Sequence, residues 1–457
     1  MKTAVIGGGI SGLTAAFLAK KKGISVTLFE KNSFLGGNIR TENINGFLLE
    51  HGPSSTLETS PLINELLKSL NIIDRKIYAS PSAKKRYILK KGRLVKLPMN
   101  PPAFIMTKLF SPSAKLRLFK EPFIKSKSTE LETIEEFTRR RLGQEFLDYA
   151  INPFVAGVFA GSPANLNVKA AFPKLFELEQ KYGSLIKGQI KSRKERKNRN
   201  EKSKQSAKTF SFACGLIEIV NALYSRIKDS VCLNSEVTEI SRIGKSYEVT
   251  FKNGSFNAKD NFDAVVIASP AYIATSLLSR LNAEISEQLR GLFYPPVAVI
   301  LTGFRKDNFA FKPDGFGFLV PEVENRKILG SLWNSVIFPM RAPEGFELLT
   351  NFIGGSRQPE LVQRSDDELI EITLGELGSI MGIKGHPDFV KIIRWEKSIP
   401  QYSRNHSVLT DKIDKLQLET PGLFICSNFY KGISICDCVK NAFYTADKLQ
   451  EYKRNLV

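Results

Sequence analysis

A glycine-rich turn near the start of the chain constrains its fold more than any other feature. Residues 2–6 (KTAVI) predict a short buried strand, Gly7-x-Gly9-x-x-Gly12 predicts a tight turn, and residues 13–22 predict a helix. Glycines let the backbone approach a pyrophosphate, and the first turn of the helix offers unpaired N–H groups to its charge. The pattern therefore predicts a dinucleotide site, and a glycine-rich turn without a ligand is the alternative.

The residues after this turn indicate which dinucleotide binds. Residues 25–29 (SVTLF) predict a second strand, which ends on Glu30. A carboxylate about 20 positions beyond the turn is placed to bind a ribose 2′-hydroxyl, so an adenosine without a 2′-phosphate is expected. Gly36-Gly37 follow, and residues 46–55 predict a strand that runs into a Gly-Pro turn. A second glycine pair this close predicts that the chain returns to the same cofactor, as in flavin proteins.

The composition and the length exclude several functional classes. The chain has 457 residues, of which 42% are hydrophobic and 25% are charged, and this length permits two or three domains. No apolar run reaches the roughly 18 to 20 residues that a membrane-spanning helix needs. Because the first predicted strand begins at residue 2, no room is left for a signal peptide, which predicts a cytoplasmic protein.

The reactive residue types indicate that an organic cofactor carries the chemistry. The five cysteines follow no spacing known for structural zinc, which predicts reduced thiols. The three histidines lie far apart in the sequence, so no metal site is predicted. No nucleophile or acid–base pair stands out either, and we assign no catalytic side chain.

The net charge of +20 is distributed unevenly along the chain. Residues 187–208 contain ten basic and two acidic residues and no aromatic side chain. Such a segment favours a solvated, flexible insertion, with attraction to anionic lipid or to nucleic acid as alternatives. Because no nucleic-acid-binding motif accompanies it, no nucleic acid partner is predicted.

Downstream patterns give a coarse secondary structure. Residues 209–223 predict a helix, and residues 297–303, 328–332 and 348–353 predict strands of a mixed sheet that forms one wall of a substrate cavity. A terminal helix is predicted from Val439.

The chain resembles a known family in motifs that are spread along most of its length. The glycine turn, Glu30, the Gly36-Gly37 pair and the turn at residues 50–55 together resemble FAD-dependent oxidoreductases of the amine oxidase type. Further segments resemble the protoporphyrinogen oxidases within that group: residues 85–88 (KRYI), 97–98 (LP), 110–116 (FSPSAKL), 151–157 (INPFVAG), 172–175 (FPKL), 315–321 (GFGFLVP), 338–343 (FPMRAP) and 352–356 (FIGGS).

This resemblance implies an α/β fold with a Rossmann-type FAD-binding domain, as in flavoproteins with two dinucleotide-binding domains. It also implies a substrate domain built on a mixed sheet and an inserted helical membrane-binding domain. The implied limits are residues 1–77, 226–277 and 415–457 for the FAD-binding domain, 84–192 for the helical domain, and 78–83, 193–225 and 278–414 for the substrate domain.

The resemblance also implies which residues bind FAD. Val237 is expected to pair its backbone with the adenine, Trp395 to pack near the flavin, and the helix start at residues 432–435 to stabilise negative charge on the reduced flavin. The full implied set is Gly7, Gly8, Gly9, Ile10, Ser11, Gly12, Glu30, Lys31, Gly36, Gly37, Asn38, Gly52, Pro53, Ser54, Ser55, Val237, Trp395, Gly432, Ile433, Ser434 and Ile435.

For the substrate, the resemblance implies a flat apolar slot. Arg86 is expected to bind a propionate, because its planar guanidinium can hold a carboxylate through two hydrogen bonds. Leu319 and Leu332 are expected to pack on one face of a tetrapyrrole and Phe352 on another, and the backbone carbonyl of Gly161 to face the substrate. From the residues alone, Arg86 is typical of a surface cation and the three apolar residues of ordinary core; the family motifs reverse both interpretations.

Residues 98–124 alternate apolar and basic side chains. Such a segment can lie in a lipid interface, or it can form a helical core with a solvated face. The resemblance favours peripheral contact with the cytoplasmic face of a membrane, because the family has a helical membrane-binding domain at this point.

The implied reaction is the oxidation of protoporphyrinogen IX to protoporphyrin IX by dioxygen, with release of hydrogen peroxide, in heme biosynthesis. Oxidation of coproporphyrinogen III is one alternative, and another flavin oxidation, such as amine oxidation or carotenoid desaturation, is a second. A third is a non-enzymatic role like that of the proteins that escort prenylated small GTPases. A homodimer is left open as well.

Overall fold

The computed structural model describes residues 1–198, 207–254 and 256–456, so the predicted basic insertion at residues 187–208 lies partly outside the described residues. The strands are β1 Lys2–Ile6, β2 Ser25–Phe29, β3 Thr41–Ile44, β4 Phe47–Glu50, β5 Thr56–Leu57, β6 Lys76–Tyr78, β7 Tyr87–Lys90, β8 Arg93–Lys96, β9 Thr209–Phe212, β10 Val231–Cys232, β11 Ser235–Ile243, β12 Ser246–Asn253, β13 Phe256–Phe262, β14 Ala264–Ile267, β15 Val297–Arg305, β16 Gly317–Leu319, β17 Ile328–Trp333, β18 Phe346–Gly354, β19 Phe389–Trp395 and β20 Leu423–Ile425. The helices are α1 Ile10–Lys21, α2 Pro61–Ser69, α3 Pro101–Met106, α4 Pro112–Lys120, α5 Ile134–Arg141, α6 Gln144–Phe146, α7 Asn152–Phe159, α8 Val168–Ala171, α9 Pro173–Tyr182, α10 Leu185–Asn198, α11 Ile217–Ile227, α12 Ala271–Leu278, α13 Ala283–Arg290, α14 Asn334–Ile337, α15 Asp366–Met381, α16 His406–Glu419 and α17 Ile435–Asn455.

A five-stranded parallel sheet contains the N-terminal strand, in the order β10-β2-β1-β14-β20. All residues of β14 and all but the first of β1 are buried, as expected of parallel strands that are covered on both faces. In register, Thr3 of β1 pairs with Val26 on one side and with Ala264 on the other. The strands predicted at residues 2–6 and 25–29 are confirmed.

Helices α1 and α17 each follow a strand of this sheet and pack against each other, and both begin earlier than the sequence predicts. α1 begins at Ile10 rather than at residue 13, because the backbone of Gly9 is extended and already forms its N-cap. α17 begins at Ile435 rather than at Val439, because the Ser434 hydroxyl accepts the N–H of Asp437 and caps the helix. Since each helix follows a strand of the same parallel sheet, their N-terminal ends lie at its carboxyl edge.

The helix predicted over residues 209–223 is wrong at its start. Residues Thr209–Phe212 instead form β9, which pairs with β5 on one side and with β6 on the other. α11 begins only at Ile217, where the carboxylate of Glu50 accepts the Leu216 N–H at 2.8 Å. A side chain from the end of β4 therefore stabilises the start of a helix that is distant in sequence.

A seven-stranded mixed sheet has the order β19-β15-β18-β17-β16-β7-β8. The strands predicted at residues 297–303, 328–332 and 348–353 are confirmed as part of it. Two of its strands come from residues 87–96, which the predicted division assigns to the helical domain. The domain limits stay a prediction, and this hairpin is hydrogen-bonded into the large sheet.

Helices α3 to α10 lie between β8 and β9 in the chain and contribute to two apolar clusters. One contains residues of α5 and α7 to α10, and the other packs residues of α3, α4 and α6 against Ile88 of β7. α5 begins with a capping box, in which Thr133 and Glu136 exchange side-chain-to-backbone hydrogen bonds. At its other end Arg141 is fully buried between the carboxylates of Glu179 and Glu121. Arg141 also donates to three backbone carbonyls, so its guanidinium is well satisfied within the protein.

Candidate active site

In the turn between β1 and α1, Gly7 has φ +111°, which favours glycine, and Gly12 leaves no room for a larger residue. A Cβ at Gly12 would overlap the carbonyl oxygen of Gly7, so the helix packs directly on the strand. A Cβ at Gly8 would lie 2.5 Å from Cδ2 of Leu35. The turn is therefore bare backbone, as the close approach of a pyrophosphate requires.

The second glycine pair lies against this turn. Gly36 donates its N–H to the Gly8 carbonyl at 2.8 Å and forms a parallel bridge with Gly9. Further along, a Cβ at Gly52 would overlap the carbonyl oxygen of Asn38. The chain thus returns to the first turn, as the sequence predicts, and continues from there to the turn after β4.

Other residues of the predicted cofactor set border the same turns. Lys31 is exposed directly after β2, and a Cβ at Gly37 would lie 3.4 Å from the first glycine turn. Ile10 and Ser11 are the first two residues of α1, and both are buried. The half-buried residues between β4 and β5 are Pro53, Ser54 and Ser55.

Glu30 lies at the carboxyl end of β2 with its carboxylate held in place. Its Oε2 accepts the Gly8 N–H at 2.7 Å, and its Oε1 accepts the Asn32 N–H at 2.9 Å. The side chain is buried, and Asn32 Nδ2 donates a further hydrogen bond at 2.7 Å. A carboxylate fixed beside the glycine turn fits the ribose hydroxyls of an adenosine.

Two more strands border this edge of the sheet. Val237 is buried in β11 at an irregularity of its pairing, and nearby Ser235 donates its N–H to the Glu30 carbonyl at 2.8 Å. Ser269, which the sequence reasoning did not select, follows β14 beside Gly7. Its buried hydroxyl has no hydrogen-bond partner among the residues that the structure describes. A small polar residue directly after a buried strand is the signal that could have identified it.

The N-terminus of α17, which is the positive end of its helix dipole, lies at the same edge of the parallel sheet. Gly432 has φ +70°, and Ser434 caps the helix. Ile433 packs against the apolar cluster that contains Phe159 and Tyr402, so this turn adjoins the helical region. Because the first N–H groups of a helix have no partner within it, this helix start can stabilise an anionic ring edge.

Trp395 joins the glycine turns to the large sheet. It is the last residue of β19 and pairs with Val297 of β15. Its Nε1 donates to the carbonyl of His51 at 2.9 Å, directly before Gly52. The indole therefore lies between the nucleotide-binding edge and the large sheet. The bare turns, the fixed carboxylate and the capped helix start together fit an FAD molecule that extends across this junction.

The register of the large sheet places the predicted substrate residues on one of its faces. Leu319 of β16 pairs with Gly330 of β17, and Gly330 pairs with Phe352 of β18. Leu332 follows Gly330 by two positions and points to the same side, because side chains alternate along a strand. We call this face the apolar wall.

Arg86 and Trp395 lie toward opposite ends of the apolar wall. Arg86 precedes Ile88 by two positions, and Ile88 is the pairing partner of Leu319. At the other end, the pairing of β19, β15 and β18 places Trp395 two positions beyond the row that contains Phe352. The sheet thus brings together a cation, an apolar surface and an aromatic residue that are far apart in the sequence.

Arg86 is a half-buried cation without an anionic partner in the described part of the chain. Its Nε is buried there without a hydrogen-bond partner, and the ring of Phe316 lies 5.0 Å from the guanidinium carbon. Burial lowers the pKa of the Arg86 guanidinium. Because an unpaired buried charge is costly, this arrangement complements the carboxylate of a ligand.

Helix α7 packs on the apolar wall and leads into the turn that contains Gly161. A Cβ at Gly157 would lie only 2.6 Å from Cδ2 of Leu319. Arg357, which the sequence reasoning missed, fixes the start of α7: it donates to Asn152 Oδ1 at 2.6 Å and to the Val320 carbonyl at 2.7 Å. Burial lowers the pKa of the Arg357 guanidinium to about 10. No local sequence pattern marks this residue.

A buried ion pair lies next to the turn that contains Gly52. Arg341 Nη2 is 3.5 Å from Glu50 Oε1 and donates to Ser211 Oγ at 2.6 Å. Arg341 Nη1 is buried without a hydrogen-bond partner among the described residues. Burial raises the pKa of Glu50 to about 7, against the opposing effect of Arg341. The pair joins the end of β4 to the segment between α14 and β18.

The nucleotide-binding edge and the adjoining wall define an FAD-dependent oxidoreductase. Residues 10–450 match the family described as flavin containing amine oxidoreductase. The chain belongs to this family and, within it, to the protoporphyrinogen oxidases, as its similarity to individual relatives shows.

A mitochondrial protoporphyrinogen oxidase from Nicotiana tabacum is 33% identical, over 99% of this chain and 95% of the relative. Protoporphyrinogen oxidase 2 from Arabidopsis thaliana is 32% identical, over 99% of this chain and 94% of the relative. A coproporphyrinogen III oxidase from Bacillus subtilis is 29% identical, over 95% of each chain. FAD as the cofactor and oxidoreduction as the class of reaction are thereby confirmed.

Solved structures agree with the fold. A protein from Exiguobacterium sp. 255-15, assigned provisionally as a protoporphyrinogen oxidase, superposes with a TM-score of 0.81 at 23% identity over 98% of both chains. A reduced UDP-galactopyranose mutase gives a TM-score of 0.73 at 16% identity, over 100% of this chain and 96% of the other. These likenesses confirm the predicted fold class, and the mutase illustrates that the fold alone does not determine the reaction.

Proposed function

We propose that this chain catalyses the oxidation of protoporphyrinogen IX to protoporphyrin IX in heme biosynthesis, with dioxygen as the electron acceptor. The conversion removes six electrons and six protons, which reduce three molecules of dioxygen to three of hydrogen peroxide. Oxidation of a porphyrinogen is the function of the class to which the chain belongs. The choice of protoporphyrinogen and of dioxygen is the part that needs a test.

The observation that carries the proposal is Arg86 at the end of the apolar wall. A porphyrinogen is a broad apolar macrocycle with carboxylates on one side, and the wall offers an apolar surface that ends at the half-buried guanidinium of Arg86, which has no anionic partner among the described residues. A carboxylate placed there would satisfy the Nε and compensate the buried charge. An amine substrate would instead bring a cation toward Arg86, which the same charge disfavours.

We assign the holding of FAD to the predicted cofactor residues. The bare turns at residues 7–12 and 36–38 take the pyrophosphate, and Glu30 takes the ribose. The start of α17 and Trp395 border the flavin ring. Bound FAD supplies two-electron oxidation, which the side chains of this site cannot perform by themselves.

The apolar wall orients the substrate in this proposal. Leu319, Leu332 and Phe352 pack against one side of the macrocycle and exclude water from that side, because all three lie on one face of the sheet. This arrangement differs from the one that the resemblance implied, in which Phe352 packs on another face of the ring than the two leucines. The carbonyl of Gly161 accepts a hydrogen bond from a pyrrole N–H. Arg86 fixes the rotation of the ring in its plane by binding one propionate.

Coproporphyrinogen III is the second candidate substrate. It differs from protoporphyrinogen IX in carrying two further propionates where the latter has vinyl groups, and the relative from Bacillus subtilis named above favours it. The wall residues meet the ring core that both substrates share, so they do not discriminate between them.

The decisive experiment compares the two substrates with the purified, FAD-loaded chain. We expect the fluorescence of the product porphyrin to rise while oxygen is consumed, and the ratio of kcat/KM values to identify the preferred substrate. Under anaerobic conditions each accepted porphyrinogen should bleach the flavin absorbance. A flavin that stays oxidised with both substrates would contradict the proposal.

The proposal includes peripheral contact with a membrane. Among the described residues, no helix has both the length and the apolarity that crossing a bilayer requires. Around α3 and α4, however, large apolar side chains are 64–82% exposed and lie among lysines and arginines. We call this set the apolar-basic surface; its apolar members are Ile105, Met106, Leu116, Phe119 and Phe123.

Flotation with anionic liposomes tests this surface. We expect the wild-type chain to float with the vesicles, and the double variant Phe119→Glu/Phe123→Glu to stay behind, since it loses apolar contact and gains negative charge. Leu418→Glu is the matched control, because Leu418 is 82% exposed on α16 and lies outside the apolar-basic surface. Equal flotation of the double variant and the control would contradict the membrane proposal.

Location at the cytoplasmic face of a membrane, the homodimer and the domain limits remain predictions. Fractionation of cells tests the first, and sedimentation equilibrium of the purified chain tests the second.

A further inference from the structure

Gln401 lies between β19 and α16, and its side chain contacts the turn that ends α7. Its Nε2 donates to the Phe159 carbonyl at 2.7 Å, and only 5% of the residue is exposed. Its Oε1 occupies the space that a Cβ at Gly161 would need. One buried amide therefore contacts the turn on both sides of Ala160.

This turn has a strained backbone that its neighbours hold in place. Ala160 has φ +50°, a left-handed conformation that is unfavourable for a residue with a Cβ. Its carbonyl accepts the Ser356 N–H at 2.7 Å, which ties it to the end of β18. Strained backbone persists only where surrounding contacts determine it. The direction of the Gly161 carbonyl thus depends on Ser356 from the sheet and on Gln401 from the opposite segment.

The residue after Gln401 contacts the cofactor side. The hydroxyl of Tyr402 donates to the carbonyl of Asn428, in the loop that leads to α17. The backbone of the same segment is fixed as well, because Gln401 donates its N–H to the Phe293 carbonyl at 2.9 Å and the Tyr402 carbonyl accepts the Asn167 N–H at 2.8 Å. The segment is therefore attached to the turn beside the substrate and to the loop beside the flavin.

We propose that Gln401 is a positioning residue for the oxidation. It holds the turn at residues 159–161 so that the Gly161 carbonyl meets the macrocycle at a fixed distance from the loop that borders the flavin. This inference rests on the proposed function. It adds that the geometry between substrate and cofactor is set by an amide that contacts neither of them.

The variant Gln401→Met tests the role of the amide, because methionine has nearly the same length but cannot donate to Phe159. We expect kcat to fall about 10- to 100-fold while KM changes less, since a displaced carbonyl misaligns the bound ring. Anaerobic reduction of the flavin by substrate should slow by the same factor. Reoxidation of dithionite-reduced enzyme by dioxygen and the FAD affinity should stay close to wild type, and the melting temperature should fall by only the few degrees expected for one lost buried hydrogen bond.

Gln180→Met is the matched control. Gln180 Nε2 donates to the Ser128 carbonyl at 2.8 Å, which is the same kind of bond, in the helical region. Its flavin reduction rate should equal that of wild type. Equal rates for Gln401→Met and Gln180→Met would overturn the positioning role.

A second variant keeps the test decisive if Gln401→Met does not fold. Gln401→Glu preserves the shape, but an ionised carboxylate cannot donate to the Phe159 carbonyl, whereas the protonated acid can. Its flavin reduction rate relative to wild type should therefore rise as the pH is lowered. A pH-independent ratio would argue against the role.

A double-mutant cycle tests whether the side chain of Gln401 and Gly161 act together. Gly161→Ala should be severe in the wild-type background, because the new Cβ overlaps the Gln401 side chain. In a Gln401→Ala background the space is free, so the added effect of Gly161→Ala on kcat and on melting temperature should be smaller. Additive effects would show that the two residues do not act together.

The outcome also separates this inference from the proposed function. If wild-type flavin is not reduced by either porphyrinogen, the proposed function fails. If wild type is reduced and the Gln401 variants match it, only the positioning role fails.

Discussion

Arg141 in the helical region and Arg86 at the candidate site differ in how the protein satisfies their charges. Arg141 of α5 is enclosed by Glu179, Glu121 and backbone carbonyls. Arg86 is half-buried, with its Nε out of contact with solvent, and it has no anionic partner among the described residues. Protein groups satisfy the charge of Arg141, whereas only a ligand would satisfy the charge of Arg86.

Glu50 and Arg341 form an intermediate case, since they pair with each other but leave Arg341 Nη1 unsatisfied within the part of the chain that the structure describes.

The degree of burial by itself does not distinguish a structural charge from a binding charge. What distinguishes them is whether protein groups satisfy the charge. Removing Arg141 should therefore change stability, and removing Arg86 should change affinity, although both substitutions delete a guanidinium that is at least partly withdrawn from solvent.

The largest expected effect is on stability, in Arg141→Met. Loss of the guanidinium leaves Glu179 and Glu121 buried without compensation, which should lower the free energy of unfolding by about 3–5 kcal/mol. Urea unfolding measures this change. Arg139→Met is the control, because Arg139 is exposed and pairs with Glu135 at a distance of one helical turn. Similar unfolding curves for both variants would show that the Arg141 cluster is not structural.

The next effect is the pH dependence that Glu50 confers. Its pKa is about 7 in the folded chain, against an ordinary value of 4.5, so the folded state holds the proton more tightly than the unfolded state. The associated stability is fully present below pH 4.5 and is lost as the pH rises through about 7, by on the order of 3 kcal/mol. Glu50→Gln should flatten this part of the profile of unfolding free energy against pH. An unchanged slope, equal to that of the exposed control Glu419→Gln, would remove Glu50 as its cause.

A smaller effect is expected for Arg86→Met, and it should appear in binding. A lost charge-assisted hydrogen bond costs roughly 1.5–3 kcal/mol, so KM for the porphyrinogen should rise at least about tenfold while kcat changes less. The melting temperature should be unchanged or higher, because no partner among the described residues is left behind. Arg93→Met removes an exposed arginine from the same β7–β8 hairpin and should leave KM unchanged. A destabilised Arg86→Met with an unaltered KM would make Arg86 a structural charge like Arg141.

The smallest effect concerns the contact between the cofactor edge and the large sheet. Trp395→Phe removes the donor to the His51 carbonyl, which should cost about 1 kcal/mol and weaken FAD binding roughly fivefold in a fluorescence titration. Trp333→Phe is matched in volume but removes an Nε1 that has no hydrogen-bond partner among the described residues. FAD affinities that fall equally in both variants would show that the hydrogen bond of Trp395 contributes nothing specific.

The cofactor-binding part of the site could be predicted closely from the sequence, because the motifs that define it are local. The spacing of Gly7, Gly9 and Gly12 and the position of Glu30 follow from a strand, a turn and a helix in succession. The start of α17 is missed by four residues, because the Ser434 cap outweighs the apolar pattern that begins at Val439. Likewise, the alternation of residues 209–212 is too short to outweigh the helical pattern after it.

The substrate-binding part of the site could be predicted only in part, because its geometry depends on the pairing of strands that are distant in sequence. The family motifs name Arg86, Leu319 and Phe352, yet only the register shows that they share one face. Gln401 is absent from any sequence-based set because its contacts with Phe159 and Gly161 span more than 200 residues and follow no repeat.

The composition of the large sheet has a consequence for building chimeras between this chain and its relatives. Strands β7 and β8 enter the sheet from residues 87–96, whereas the other five come from residues 297–395. A crossover that exchanges only the later block would pair β16 of one parent with β7 of the other. Arg86 and Leu319 would then come from different parents. Recombination that preserves substrate preference must therefore move both blocks together, although they are separated by the entire helical region.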